Sequence, residues 1–179
     1  TNLSTLSTVA TIPTPATKNP GFLSIDPSGK YAYLTGLNTY NISVISLSTF
    51  TVVSVLKVAY DPSYVAFSPN GTLAISISAG CPGGIISHQI TEINSVLNKV
   101  ITNISNSYLS NPGMAAFSTN GTCLVVTSPS NKNLVLFNAT SMKYVQKITS
   151  YFHPESISFL LNSNMFYATG YKCSGVATG

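Results

Sequence analysis

The side chains that could do acid–base, nucleophilic or metal chemistry are few: Asp26, Asp61, Glu92, Glu155, His88, His153, Cys81, Cys123 and Cys173. His153 and Glu155 flank Pro154, and a histidine sharing a loop with a carboxylate is one arrangement an acid–base pair could use. His153 also stands where Asn19, Asp61 and Asn111 stand elsewhere in the chain, each beside a proline, so it reads as a turn residue. Asp26 and Asp61 read as turn residues for the same reason. His88 falls on an expected strand, alone. Two histidines and four acids are too few for a copper cluster or a haem pocket. No C-x-x-C or Cys/His pairing suggests zinc. Gly80, Gly83 and Gly84 around Cys81-Pro82 make no phosphate loop. The expectation is therefore no catalytic residue, no metal and no cofactor.

The cysteine count allows one disulfide and one buried thiol. Cys81 and Cys173 each lie 14 residues after a phenylalanine, Phe67 and Phe159. That places them in the same loop of alternate units, farther apart than the roughly 7 Å between Cα atoms that a disulfide spans. Their partners stay open, and Cys123 is expected in the core.

Charge is scarce too. Of 179 residues 7% are charged, against about 25% in an ordinary domain. The net charge of +4 comes from scarcity of acids. The eight lysines, from Lys18 to Lys172, form no cluster, and arginine is absent. Nucleic acid is excluded as a partner on that ground. With 44% hydrophobic residues the chain is not disordered, and no apolar run approaches the ~18 residues of a membrane span. A hydroxyl-rich, charge-poor surface points to an extracellular, cell-surface or virion-surface setting.

Six Asn-x-Ser/Thr sequons fit that setting: Asn2, Asn41, Asn70, Asn103, Asn120 and Asn138. Asn70 and Asn120 precede glycine in equivalent turns, where Asn-Gly also serves turn geometry.

These residues are positioned by a repeat. Asn19-Pro20, Asp61-Pro62, Asn111-Pro112 and His153-Pro154 are spaced 42, 50 and 42 residues apart. Five residues after each proline comes Ile25, Phe67, Phe117 or Phe159. Three units continue with a polar turn ending in glycine (Pro27-Ser28-Gly29, Pro69-Asn70-Gly71, Thr119-Asn120-Gly121), whereas the fourth has Asn162-Ser163. Short β-branched and aromatic runs follow, such as 31–35, 42–45 and 52–56. Four short strands per unit of about 42 residues predict an all-β chain folded as a β-propeller of four-stranded blades.

Tyr33-Leu34-Thr35-Gly36 followed by Asn41-Ile42-Ser43-Val44-Ile45-Ser46 resembles the YVTN-type propeller repeat of archaeal and bacterial surface proteins. Tyr167-Ala168-Thr169-Gly170 and Asn133-Leu134-Val135-Leu136-Phe137 are weaker echoes, and Ser46 and Asn138 stand where that repeat has Asp. The resemblance implies the propeller fold and no particular activity.

The expected units are 1–18, an outer strand of a preceding or closing blade plus linker; blades at 19–60, 61–110 and 111–152; and a partial blade at 153–179. The segment from Leu3 to Ile12 aligns with Leu47-Ser48-Thr49-Phe50 and the strand after it. A segment of a larger propeller is expected, with a closed four-bladed ring as the alternative. On one face of the ring lie the length-variable loops at 79–84 and 103–110 and the tyrosines Tyr40, Tyr60, Tyr108, Tyr151 and Tyr171, which define an expected binding surface. The expected function is a non-enzymatic structural or recognition module for adhesion or attachment, binding protein subunits or surface glycans, as a homo-oligomer or within a larger assembly. Two alternatives are a propeller enzyme of the lactonase or quinoprotein type and a filament subunit whose N-terminal strand inserts into its neighbour.

Overall fold

A computed structural model of the chain describes residues 4–79, 86–161, 163 and 165–172. Cys81, Cys173, the sequon at Asn2 and most of the loop at 79–84 lie outside the described residues.

Among the described residues every regular element but one 3-10 turn (Pro129–Asn131) is a strand. The first antiparallel sheet joins β1 (Pro20–Ile25), β2 (Tyr31–Gly36), β3 (Asn41–Ser46) and β4 (Thr51–Lys57) in chain order. The second joins β5 (Pro62–Phe67), β6 (Leu73–Ser78), β7 (Gln89–Asn94) and β8 (Lys99–Ser105). The third joins β9 (Ala115–Phe117), β10 (Cys123–Ser128), β11 (Asn133–Asn138) and β12 (Lys143–Thr149). The fourth pairs β13 (His153–Phe159) with β14 (Phe166–Tyr171). These sheets are the blades of a β-propeller, numbered here one to four.

The turns repeat because the residues do. Gly29, Gly71 and Gly121, which close the turn between first and second strands, have φ of +69°, +69° and +72°. A side chain is disfavoured there and glycine is not. Phe50, Asn98 and Met142 take the left-handed conformation in the turn between third and fourth strands. A β-bulge follows each of these turns in the outer strand, opposite Val44/Ile45, Glu92/Ile93 and Leu136/Phe137. It adds twist to the outer strand.

In blades one to three the second and third strands are buried on both faces, and hydroxyl residues such as Ser43, Ser76 and Thr91 are buried there with the apolar ones. Blade one packs on blade two through Tyr33, Ile42, Val44 and Leu56 against Val65, Ala74 and Ile93. Blade two meets blade three through Ile75, Ile77 and Ile90 against Phe117, Leu124 and Phe137. Blade three meets the fourth sheet through Val125 and Leu134 against Ile157, Phe159 and Phe166. Burying each such aliphatic side chain contributes about 1.5–3 kcal/mol, and this stacking is what holds the blades together. Tyr33 adds a hydrogen bond from its buried hydroxyl to Asn98 Oδ1 at 2.5 Å.

The sheets form an open arc, so the closed four-bladed ring is not formed. Leu23 and Ile25 at one end are 52% and 57% exposed, and Tyr167 at the other is 64% exposed. Equivalent positions inside the arc are covered by the neighbouring blade.

His153 and Glu155 do not share a loop: both belong to β13. Strand β13 is the inner edge of its sheet, where the missing N–H of Pro154 costs no ladder bond, so pairing runs through the proline, with His153 opposite Tyr171 and Pro154 opposite Gly170. His88 sits one residue before β7 instead of within a strand, and β8 runs through Asn103 to Ser105 before its loop begins.

Candidate interaction surface

The loop between second and third strands of each blade lies beside the linker that leads into the next blade. The residue before each blade's first proline ties the two together. Asp61 accepts a hydrogen bond at Oδ1 from Asn38 N at 2.7 Å and donates its own N–H to Thr39 O at 2.8 Å. Asn111 does the same one blade later, with Ser87 N at 2.9 Å and Ser87 O at 2.9 Å. Both hold positive φ, +60° and +47°, which Asp and Asn tolerate better than most residues. In the fourth sheet the ring of His153 takes over, with Nδ1 2.8 Å from Pro129 O. The sequence shows these as turn residues; their reach into the preceding blade's loop is not legible there, because it spans 23 or 24 residues of chain.

That latch brings Tyr40 and Tyr60 into contact, with ring centroids 5.0 Å apart and planes at 58°. Tyr40 remains 55% exposed. Tyr108 instead turns to the outer strand of blade three, 5.2 Å from Tyr144, with Lys147 Nζ 4.7 Å above its ring. Tyr144 and Lys147 were not among the expected contact residues; both lie on β12, which is exposed along its length. Tyr171 stacks on His153 at 4.8 Å and 6°, and Tyr151 is 93% exposed. The five tyrosines therefore form one pair, with Tyr40 exposed and Tyr60 half-buried, and three separate rim positions, not one continuous patch.

On the opposite face, Asn70 and Asn120 occupy matching turns. Asn70 Oδ1 accepts from Ser68 Oγ at 2.8 Å and from Thr72 N and Oγ1 at 3.1 and 2.9 Å. Asn120 repeats this with Ser118 Oγ at 2.7 Å and Thr122 N and Oγ1 at 3.1 and 2.8 Å. In both sequons the amide oxygen is held on the Thr, and the residue is exposed. Asn138 caps its turn by accepting from Thr140 N and Ser141 N, each at 3.0 Å. Asn103 accepts from Thr91 Oγ1 at 2.7 Å. Asn41 differs: it is half-buried, and its Nδ2 donates to Ala16 O at 2.6 Å.

The inner strands of all four sheets line a channel of about 670 Å³. Phe22, Tyr64, Ala115 and Phe159 are among its walls. Burial raises the Tyr64 phenol above its ordinary range, and Phe22 packs on its ring at 4.7 Å. Burial likewise raises the carboxyl of Glu92 and the thiol of Cys123. Cys123 is free and packs at the junction of blade three with the fourth sheet. His88 Nδ1 bonds the Leu109 carbonyl, in the linker to blade three. Among the described residues no three His, Cys, Asp or Glu side chains gather as a metal site, and no helix is long and apolar enough to cross a membrane.

This fold defines the class. The chain superposes on hydrazine synthase of Kuenenia stuttgartiensis with a TM-score of 0.78 at 14% identity, over 96% of this chain and 46% of that one. It also superposes on U3-55K (TM-score 0.65, 13% identity, 79% of this chain and 42% of that one) and on the WD40 repeats of RRP9 (0.64, 13%, 79% and 41%). The chain thus spans less than half the length of each. No family model matches, and no curated protein is similar in sequence. The chain is a β-propeller module of repeated blades; at these identities the likeness shows the fold alone.

Proposed function

We propose that the chain is a non-enzymatic contact module of an exported, N-glycosylated surface protein, serving adhesion or attachment. Its contact face carries the loops around Tyr40 and Tyr60. The observation that carries this reading is the Tyr40–Tyr60 pair, with Tyr40 exposed and Tyr60 half-buried, held at 5.0 Å where two loops are latched together. A rigid aromatic pair with the Tyr40 ring open to solvent offers contact area at small entropic cost, which suits a protein or glycan partner. The scarcity of charge and the exposed sequons at Asn70 and Asn120 support the exported setting. The YVTN-like strands support the assignment to a surface protein.

Glycan-array and cell-binding measurements on the folded protein test the reading. Replacing Tyr60 by Ala is expected to weaken binding by about tenfold, the loss of about 1.4 kcal/mol, while the melting temperature changes little. Binding that is unmoved by this substitution and by Tyr40→Ala sinks the assignment of this face.

The enzyme alternative rests on the channel. It requires a small ligand there, and such a ligand would raise the melting temperature on binding.

A further inference from the structure

The fold sorts charges that look scattered along the chain. All eight lysines are exposed, whereas Asp26 and Asp61 are buried in their turns and Glu92 is half-buried, so Glu155 is the one exposed carboxylate. Two of the lysines, Lys57 and Lys99, line one cleft of about 620 Å³ at the rim between blades one and two. Its walls are β4 on one side and the turn into β8 on the other, and no carboxylate lines it. Lys99 is the first residue of β8, as Thr51 is of β4, while Lys57 is the last of β4. The two lysines therefore stand near opposite ends of the cleft, about 20 Å apart along the strands at about 3.3 Å per residue. The next junction is filled differently. Asn98 is the left-handed residue of the turn into β8, as Met142 is of the turn into β12, and Met142 is buried in the core between blades two and three. Asn98 is half-buried, and its Oδ1 accepts from the Tyr33 hydroxyl at 2.5 Å, so its Nδ2 is left to donate. Tyr31 stands in the same cleft, at the strand position that Leu73 and Cys123 hold in the next two blades.

We propose that this cleft binds a short acidic oligosaccharide, one whose sugar rings carry carboxylates. Ammonium groups at both ends call for an anion that extends between them, which a single inorganic ion does not. Between the lysines the walls alternate apolar surface with neutral polar groups. Val53 and Val55, 51% and 40% exposed, and the Tyr31 ring suit the C–H faces of sugars. The Asn98 amide and the hydroxyls of Ser54 and Tyr31 suit ring hydroxyls. Neutral side-chain donors set between two cations match a polyhydroxy acid better than an acidic peptide, whose neutral polar groups are its backbone. The volume lies within the roughly 300–1,000 Å³ of sites that enclose a small ligand. At its Lys57 end the cleft reaches the proposed contact face, for Lys57 Nζ donates to Asn41 Oδ1 at 2.7 Å, one residue after Tyr40. The inference goes beyond that reading and draws on neither Tyr60 nor any glycan carried by the chain.

The test is isothermal titration calorimetry of the folded protein with tetragalacturonate. Binding is expected, and it weakens as salt is added, because the lysines are exposed. The fully methyl-esterified tetramer keeps the sugars and loses the charge, and it is expected to bind about tenfold more weakly or worse. Lys99→Gln removes one cation at an exposed position and is expected to cost about tenfold in affinity with the melting temperature unchanged. Asn98→Asp keeps an acceptor for the Tyr33 hydroxyl but replaces the donor with a carboxylate, and it is expected to cost at least as much. Tyr60→Ala is expected to leave this binding as it is, so failure of the contact face and failure of the cleft appear in different variants. No binding of the tetramer, equal binding of its methyl ester, indifference to both cleft variants, or equal affinity for tetraglutamate overturns the proposal.

Discussion

Glu92 is the residue whose surroundings conflict most with its charge. It lies on β7 on the face turned to blade three, beside Ile90, and burial raises its carboxyl above the ordinary range. A carboxyl raised on folding favours the protonated form. Its contribution to stability is fully present below the ordinary carboxylate pKa and is lost as pH rises through the raised one. Glu92→Gln keeps the shape and removes the charge, so it is expected to raise the melting temperature at pH 7. That gain should fade below about pH 4, where the wild-type carboxyl is also neutral. A shift of equal size at both pH values would assign the effect to packing instead. In the sequence Glu92 is one of four acids with nothing to mark it, because its burial comes from the neighbouring blade. Asp61 and Asn111 show the same limit: their type and place before proline predict turns, but only the fold shows which loop they latch. Cys123, expected in the core because it opens an apolar run, is half-buried at the edge of the junction between blade three and the fourth sheet.

Turns carried most of what could be read at the level of the element. The Pro/Thr-Ser/Asn-Gly triplets locate the hairpin between first and second strands, and their glycines have the positive φ that the residue type implies. At Gly71 an added Cβ would meet nothing nearer than Pro27 at 3.6 Å, so the cost of Gly71→Ala comes from the backbone alone. That cost is about 1–2 kcal/mol, seen as a melting temperature lower by about 2–8 °C for a chain of this size. Gly121→Ala should behave alike, and the pair should add, since the turns lie in different blades. A neutral Gly71→Ala would contradict the turn geometry. The turns of the third and fourth strands were harder to foresee. Phe50 and Met142 are poor left-handed residues by type, and what holds them there is the bulge and pairing of the outer strand, a property of the sheet rather than of the residue. His153 shows the reverse error, since a proline that signals a loop in most settings starts a strand when it sits at an inner edge.

For the whole molecule, the 42- and 50-residue spacing was enough to read a propeller, because no blade can bury both faces alone and repetition is the remedy. The open arc was also foreseeable, as four units of this size span only part of a larger ring. The contact face was less legible. Four of the five tyrosines fall in its loops and Tyr171 ends β14, yet only Tyr40 and Tyr60 meet, since linker direction and not sequence position decides which rings touch. The proposed export makes the sharpest demand on the opposite face. Peptide mass mapping of the protein isolated from its source tests it most directly. The account predicts hexose-sized mass additions on the peptides bearing Asn70 and Asn120, whose amides are exposed in matching turns. Bare asparagine at both positions would contradict an exported, glycosylated surface module.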